Sequence, residues 1–390
     1  MRVVVLGGAG AMGRVCVKDL VASDVGEVVV ADRDGALAEE VARDVRALAA
    51  RPGSTVTAHA VDVTGDSLVD LLSGADVVCN CVNYTLNPTV MRAAAKAGTN
   101  YLDLGGLFHG TRTQLALADE MTDAGILCLL GMGATPGTMN VMAALGAGEL
   151  DEVGSIRLRC GGSDPEPAQA ALPAPYAIDT ILDEFTMPAM VLAGGELAEA
   201  PAASDDEEFS FPEPVGAGIA LLTLHSELAT MPLTFRRLGL AELDFKVAFD
   251  AGMIARYRLV TALGLADTAP VTLEDGTEVV PRSLIKALAG TQRFSGRDIE
   301  SLVVELAGTK GSRALTVRVE ELSYPNATYG VGGADANTGI PPSIAAQMMA
   351  RGAIKGTGVK APEEVVPPVE YAAELARRNI SIEVHVTQPA

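Results

Sequence analysis

The sequence of 390 residues predicts an α/β protein in two parts: an N-terminal doubly wound parallel sheet and an inserted α+β domain with a mostly antiparallel sheet. Through the first third of the chain, short apolar runs alternate with helical patterns, as in a parallel sheet. After about residue 150, apolar and polar residues alternate within runs such as 155–160, which is typical of a half-solvated sheet. We therefore predict domains at 1–135, 136–338 and 339–390, the last formed by helices that return to the first domain.

Apolar runs bounded by Gly, Asp or Asn mark the predicted elements. In the first domain, strands are predicted at 3–6, 27–31, 55–61, 76–82, 100–104 and 126–130, with helices at 14–22, 68–72, 88–97 and 111–124. In the second domain, strands are predicted at 155–160, 221–224, 243–249, 299–306 and 314–321, with helices at 176–185, 251–263 and 281–289. The acidic segment 198–214 predicts a surface loop, and helices at 341–354 and 367–378 end the chain.

A glycine run directly after the first apolar strand predicts a dinucleotide site. The glycines in 8–13 follow the G-x-G-x-x-G spacing, which permits a tight turn, close approach of a pyrophosphate, and packing of the following helix on the strand. That helix would point its free N–H groups at the phosphates. The predicted contacts in this loop are Gly8, Gly10, Ala11, Met12 and Gly13.

The residues after the second strand bear on the choice of dinucleotide. Asp32 stands at the spacing from the glycines where a carboxylate binds the adenosine ribose hydroxyls. Arg33 could neutralise the 2′-phosphate of NADP, but Asp32 would repel that phosphate. The pair therefore favours NAD over NADP, with Arg33 over the adenine or in solvent.

Other candidate ligand contacts follow the later strands, whose carboxyl ends share one edge of a parallel sheet. Asp62 and Val63 follow the third strand, Asn83 the fourth, and Gly105 and Gly106 the fifth; we predict that all five contact the cofactor. Tyr84, next to Asn83, is predicted to contact the substrate.

The run GMGATPGTMN at 131–140 predicts a second binding element. Pro136 favours a helix that begins near Gly137, and this helix start, with Asn140, would bind a substrate carboxylate. The alternative is a hinge between domains, and the two roles are compatible.

Three side chains are candidates for proton transfer. His225 and Glu227 stand together at a strand end, with Thr230 as a nearby substrate contact. The alternative there is a helix start capped by Ser226. Asp103 is the third candidate, and its alternative role is to accept hydrogen bonds from loop amides.

Composition excludes several classes of partner. The formal net charge of −21 argues against nucleic acid and anionic membranes as partners. Five cysteines without a C-x-x-C pair and four histidines predict reduced thiols in a cytoplasmic protein and no metal site. The first strand begins at once, which leaves no room for a signal peptide, and glycines and a proline interrupt the apolar stretch 126–145.

The chain resembles the saccharopine dehydrogenase-like family, on the side of saccharopine reductase and lysine 6-dehydrogenase. The resemblance rests on the blocks GGAGAMG at 7–13, YLDLGG at 101–106, GMGATPGTMN at 131–140, LHSELATMP at 224–232 and the segment 339–365. It implies a Rossmann domain, an amino-acid-derived substrate that reacts at a C–N bond, and a homodimer or larger homo-oligomer.

Within that family, the sequence favours NAD-dependent oxidative deamination of a lysine-like amine. Two alternatives stay open. One is NADPH-dependent reductive condensation of an amine with a carbonyl compound, as in saccharopine or carboxynorspermidine synthesis. The other is a dinucleotide-binding protein without turnover.

Overall fold

The computed structural model describes residues 1–48, 54–166, 171–289 and 295–388. Strands and helices alternate in the first part of the chain because each short apolar run is buried as a strand between helices. The elements, in chain order, are β1 (Arg2–Leu6), α1 (Ala11–Ala22), β2 (Glu27–Asp32), α2 (Gly35–Val45), β3 (Thr55–Ala60), α3 (Ser67–Leu72), β4 (Val77–Asn80), α4 (Asn87–Ala97), β5 (Asn100–Asp103), α5 (Leu107–Leu115), α6 (Ala118–Asp123) and β6 (Leu127–Leu129).

The second part of the chain forms a separate sheet with helices on one face. Its elements, in chain order, are α7 (Thr138–Ala147), β7 (Glu152–Ser163), α8 (Ile178–Thr186), β8 (Ala189–Ala193), β9 (Glu196–Ala200), β10 (Ser204–Ser210), β11 (Ala217–Leu222), α9 (Glu227–Thr234), β12 (Glu242–Phe249), α10 (Ala251–Ala262), β13 (Val271–Thr272), β14 (Glu278–Val279), α11 (Pro281–Ala289), β15 (Ile299–Lys310) and β16 (Arg313–Ser323).

The last part of the chain contacts both sheets. It consists of α12 (Gly333–Ala350), β17 (Gly358–Lys360), α13 (Pro362–Val365), α14 (Pro368–Ala376) and β18 (Ile380–Thr387). Helix α12 packs on α1 at Gly339, where a Cβ atom would lie 2.4 Å from Val15 Cβ. The absence of a side chain at this position therefore sets how closely the two helices approach.

The first sheet is parallel and has the order β17-β6-β5-β4-β1-β2-β3 within the described residues. Since all its strands run in the same direction, their carboxyl ends form one edge. The predicted dinucleotide contacts follow these strand ends. The edge is thus the place where side chains from six loops of the first domain meet.

The second sheet has the order β10-β11-β12-β7-β15-β16-β18, with β8 joining β12 to β9. Its neighbours are antiparallel except β12 and β7. Leu302 pairs with Cys160 on one side and Glu321 on the other, so these three residues share a face. Glu300, two residues before Leu302, lies on that same face. Helices α7 and α12 pack against β15 and β16.

The acidic segment 198–214 is not the predicted surface loop, because β10 and the end of β9 occupy it. Glu207 of β10 forms ion pairs with Arg157, Arg159 and Lys246 of strands β7 and β12, which lie beyond β11 in the same sheet. These cross-strand pairs stabilise a strand whose composition suggests a loop.

The end of the chain also differs from the prediction. Helix α12 begins at Gly333 and contains Pro341 and Pro342, whereas the sequence suggested a start at Pro341 because proline favours the first helical turn. Strand β17 joins the first sheet beside β6, and β18 pairs with β16 of the second sheet, so this segment is not purely helical. The predicted helix 111–124 is divided between α5 and α6.

We expect Gly339→Ala to lower the free energy of unfolding by about 1–3 kcal/mol, because the added methyl group forces α12 away from α1. Urea denaturation measures this change. Gly154→Ala is the matched control, since its Cβ would lie 3.6 Å from the nearest atom and should change stability by less than about 0.5 kcal/mol. Equal stabilities for the two variants would contradict this account of the helix contact.

Candidate active site

The glycine loop between β1 and α1 leaves the N-terminus of α1 open. A Cβ on Gly13 would lie 2.1 Å from Gly7 O, and one on Gly8 would lie 2.9 Å from a Val30 methyl group. Gly10 is exposed, no side chain caps the helix, and its first turn holds no acidic residue. The loop therefore fits the pyrophosphate of a dinucleotide, which backbone N–H groups of Ala11, Met12 and Gly13 would bind.

Asp32 connects the end of β2 to this loop. Its Oδ2 accepts a hydrogen bond from Ala9 N at 3.2 Å, and its Oδ1 accepts one from Asp34 N at 3.1 Å. Arg33 is exposed beside it. Asp62 is also exposed, and hydrogen bonds from Thr64, with a smaller contribution from Arg33, lower the pKa of its carboxyl. This corner of the edge thus holds two carboxylates and one guanidinium.

Asp103, predicted as catalytic, accepts hydrogen bonds from several groups of the first domain. Its side chain is buried, and its two oxygens accept five hydrogen bonds, from Gly105 N, Gly131 N, Tyr101 Oη, Gln114 Nε2 and Asn87 Nδ2. Burial raises the pKa of Asp103, and these donors oppose that rise. The structure thus shows the other role predicted for Asp103, acceptance of hydrogen bonds from loop amides, and a catalytic role stays a prediction.

Pro136 lies between the same two loops. A Cβ on either Gly105 (φ +110°) or Gly131 (φ +63°) would lie 2.6 Å from Pro136 Cγ. Gly106 N donates a 3.5 Å hydrogen bond to Ser226 Oγ of the second domain. Pro136 thus acts in packing, and the loop at Gly105 and Gly106 is the place where the two domains meet.

The start of α7 does not have the free N–H groups that the sequence suggested. Gly137 N donates to Asn140 Oδ1 at 2.9 Å, Thr138 N to Gly133 O at 2.9 Å, and Met139 N to Ala134 O at 3.0 Å. Asn140 is fully buried, and its Nδ2 donates to Glu363 at 2.8 Å. In the structure these groups bind one another, and the binding of a substrate carboxylate by Pro136, Gly137 and Asn140 stays a prediction.

His225 and Glu227 form a dyad next to this domain contact. Nδ1 of His225 is hydrogen bonded to Glu227 Oε2, and its ring stacks on Phe245 with centroids 3.9 Å apart. Burial lowers the pKa of His225, but Glu227 and then Glu184 outweigh it, so that the pKa is raised. Among the described residues, Nε2 has no hydrogen-bond partner. Nε2 is therefore the ring atom able to exchange a proton with a substrate.

Further carboxylates lie near this dyad or near Cys160 of β7. Glu184 of α8 accepts a hydrogen bond from Tyr176, and burial raises the pKa of Glu184 to about 7. Burial raises the pKa of the Cys160 thiol, and four neighbouring carboxylates raise it further: Glu300, Glu321, Glu184 and Glu227. Glu227 belongs to the dyad itself, and we call the other three the inner-face carboxylates.

The remaining residues predicted to contact substrate or cofactor lie in both domains. Tyr84 lies beside Gly106 and Gly110: a Cβ added at Gly106 would be 3.6 Å from Tyr84 Cβ, and one added at Gly110 would be 3.4 Å from the Tyr84 ring. Burial raises the pKa of Tyr84, and Asp183 of α8 adds to this. Thr230 is buried on α9 near Glu363. Asn83 Oδ1 accepts a hydrogen bond from Thr85 N at 3.0 Å, and Val63 is buried.

Sequence reasoning missed Glu184, Glu300, Glu321, Asn337 and Glu363. The sequence pattern could have indicated two of them. Glu300 and Glu321 fall in the apolar register of their strands, alongside buried residues such as Leu302 and Val319. A carboxylate in the buried register of a strand indicates either a paired charge or a binding site.

Two family models together cover nearly the whole chain. Residues 3–129 match the saccharopine dehydrogenase NADP binding domain, and residues 133–380 match the saccharopine dehydrogenase C-terminal domain. The chain belongs to the saccharopine dehydrogenase family. The resemblance seen in the sequence is confirmed, and so is its prediction of an NAD(P)-dependent oxidoreductase.

Relatives extend over the full length. Carboxynorspermidine synthase of Vibrio cholerae is 25% identical, covering 92% of this chain and 91% of the relative. Carboxyaminopropylagmatine dehydrogenase of Synechocystis is 25% identical, covering 94% of each. The apo structure of a saccharopine dehydrogenase (L-Glu forming) from Saccharomyces cerevisiae has a TM-score of 0.76 at 19% identity, covering 99% of each chain, and confirms the fold class.

Two finer predictions, the choice of dinucleotide and the reaction, are not confirmed. Dinucleotide binding is confirmed, whereas the preference for NAD is not, since the matching domain model is that of an NADP binding domain. Oxidative deamination of lysine stays a prediction. No helix in the described ranges is long and apolar enough to cross a membrane. Over those same ranges, no group of three His, Cys, Asp or Glu side chains is placed to hold a metal ion.

We expect the stability of the protein to depend on pH through Glu363. Burial raises the pKa of this carboxyl to about 7, whereas a glutamate in an unfolded chain has a pKa of about 4.3. The folded state therefore binds the proton more tightly, so the contribution of Glu363 to stability is greatest at low pH and is lost as the pH rises through about 7.

The variant Glu363→Gln tests this, because a neutral side chain stays neutral at every pH. We measure the free energy of unfolding of both proteins by urea denaturation near pH 5 and near pH 8. Relative to the wild type, the variant should be more stable by a few kcal/mol at pH 8 than at pH 5, since each unit of pKa shift corresponds to about 1.4 kcal/mol. Glu370→Gln, an exposed residue paired with Arg351, is the matched control and should show no such gain. Parallel curves for Glu363→Gln and wild type would refute the assignment.

Proposed function

We propose that this protein catalyses the NADPH-dependent reductive condensation of a cationic amine with a carbonyl compound. The observation that carries the proposal is the group of inner-face carboxylates around Cys160, next to the His225–Glu227 dyad. Buried carboxylates favour a positively charged ligand, because an uncompensated buried charge is costly. An amine with more than one positive charge fits such a face better than an amino-acid carboxylate does.

The names of the relatives support the same choice. The relatives carboxynorspermidine synthase and carboxyaminopropylagmatine dehydrogenase, which align over the full length, support a polyamine-type substrate for this chain as well.

The reaction forms one C–N bond and expels one water. The neutral amine nitrogen attacks the carbonyl carbon, the oxygen leaves as water, and a C=N bond remains. When bound, the reduced dinucleotide supplies the hydride that converts this C=N bond into a secondary amine. The glycine loop and Arg33 would hold that dinucleotide along the edge of the first sheet.

His225 moves the protons of the condensation. Glu227 hydrogen bonds to Nδ1 and orients the ring, which leaves Nε2 for the substrate. Nε2 accepts a proton from the ammonium group, so that the amine becomes nucleophilic, and returns a proton to the departing oxygen. Phe245 against the ring face and the burial of Glu227 keep bulk water away from this pair.

A substrate panel tests the function. Oxidation of NADPH is followed with 1,3-diaminopropane, putrescine, agmatine or L-lysine, each with L-aspartate semialdehyde or 2-aminoadipate semialdehyde. We expect turnover with a diamine or agmatine and NADPH. Reduction of NAD by L-lysine alone, without any aldehyde-dependent NADPH oxidation, would overturn the proposal in favour of oxidative deamination. Dinucleotide binding without turnover in either direction would overturn it in favour of a binding protein.

We expect His225→Asn to lower kcat by about 10²–10⁴-fold, the usual contribution of a general acid–base residue. The KM for NADPH should stay unchanged. His109→Asn, an exposed histidine on α5, is the matched control. In Glu227→Gln, loss of the charge that raises the pKa of His225 should shift the ionisation seen in the pH profile of kcat/KM to lower pH. A profile identical to that of the wild type would exclude the dyad from proton transfer.

For the cofactor, we expect Arg33→Ala to raise the KM for NADPH by about tenfold or more, because a charge-assisted hydrogen bond to the 2′-phosphate contributes about 1.5–3 kcal/mol. The KM for NADH should hardly change. Arg43→Ala, an exposed arginine of α2, is the control. If both reduced cofactors are affected equally, Arg33 does not read the 2′-phosphate.

A further inference from the structure

Asn337 of α12 joins two of the inner-face carboxylates. Its Nδ2 donates to Glu300 Oε2 at 2.8 Å and to Glu321 Oε2 at 3.1 Å. Glu300 also lies next to Cys160, with Sγ 3.9 Å from Oε1. One amide group is therefore the shared donor for two carboxyl groups from adjacent strands.

Acceptor atoms in this cluster stay without partners. Glu321 and Asn337 are fully buried, and neither Glu321 Oε1 nor Asn337 Oδ1 has a hydrogen-bond partner within the described residues. A buried polar atom without a partner is destabilising. Burial raises the pKa of Glu300 to about 8 and that of Glu321 as well, and Asp298 and Asp335 add to the rise at Glu300. Burial thus favours the neutral form of both carboxyl groups in the absence of a cation, and a bound cation would lower both pKa values.

The chain itself supplies no cation here. Among the described residues, neither Glu300 nor Glu321 forms an ion pair, although Glu305 and Glu320 on the same two strands are paired with arginines. Those two glutamates have the opposite parity along their strands and thus lie on the other face of the sheet. No group of His, Cys, Asp and Glu side chains in the described ranges is placed to hold a metal ion, so the candidate partner is an organic cation.

We propose that Glu300, Glu321 and Asn337 bind a primary ammonium group of the amine substrate, at the end remote from the nitrogen that reacts. This inference rests on the proposed function and names the part of the substrate that this region recognises. An ammonium group has three N–H donors, and the cluster offers acceptors on three side chains, including the two partnerless oxygens. Glu300 keeps partial exposure, which provides the entry.

The charge of the surroundings selects a diamine over an amino acid. An α-ammonium group carries a carboxylate one carbon away, and that carboxylate needs a cationic or N–H-rich partner nearby. The charged groups that act on Glu300 are Asp298 and Asp335, both acidic. Asp298 Oδ2 moreover accepts the N–H of Ala334 at the start of α12, at 2.8 Å. A lone ammonium group at the end of a carbon chain fits these neighbours, and a zwitterion does not.

Calorimetric titration of the protein–NADP complex tests the proposal, with 1,3-diaminopropane, propylamine and agmatine as probes. We expect the diamine to bind at least about tenfold more tightly than propylamine. Glu321→Gln and Glu300→Gln should each remove most of that difference. Glu320→Gln, on the same strand but paired with Arg318 on the opposite face, should keep it.

The outcomes separate this inference from the proposed function. The ammonium site is overturned if the wild type binds the diamine and propylamine equally tightly, or if only agmatine binds more tightly than propylamine. Either result decides this regardless of which substrates the enzyme turns over. The ammonium site is also overturned if both variants still bind the diamine more tightly than propylamine. If the preference depends on Glu300 and Glu321 but no aldehyde-dependent turnover occurs, the ammonium site stands and the proposed reaction fails. If Glu321→Gln does not fold, Glu300→Gln, at a partly exposed position, provides the test on its own.

Discussion

The buried carboxylate of Asp103 is the interaction on which the candidate active site depends. It accepts hydrogen bonds from Gly105 and Gly131, and thereby fixes the loops that follow β5 and β6. Pro136 packs between those loops, and Gly106 reaches Ser226 of the second domain. The position of the His225–Glu227 dyad against the first sheet therefore rests on one acceptor whose hydrogen bonds are all made inside the protein. Hydrogen bonds to a charged group in a buried setting are strong enough to hold such an arrangement.

Two helix starts that look alike in sequence have opposite properties in the structure. The start of α1 follows glycines, has no side-chain cap and is open to a phosphate. The start of α7 also follows glycines, but the loop at Gly133 and Ala134 folds back onto its N–H groups, and Asn140 is bound to Glu363. The positive end of only one of these helices is thus offered to a ligand. The structure thus has an open helix N-terminus at the first sheet and buried carboxylates on the second.

The parts of the site that the sequence predicted are those with short separation along the chain. The loop Gly8–Gly13 and Asp32 belong to one βαβ unit, so spacing alone indicates their arrangement. His225 and Glu227 are two residues apart, and their contact follows from that proximity. For Asp103 the sequence left two roles open, because its donors come from four separate segments and only the tertiary structure shows that they converge on its carboxylate.

By itself, the sequence determined the fold class, the family and the dinucleotide loop, because each is written in local patterns of apolar residues and glycines. The tertiary structure alone decided which polar groups stay free. Asn140 meets Glu363 across 223 residues of chain, and Asn337 meets Glu300 and Glu321 from a different element. Whether a carboxylate or amide is satisfied or available depends on partners brought together by packing of distant segments, and neither periodicity nor spacing records those partners.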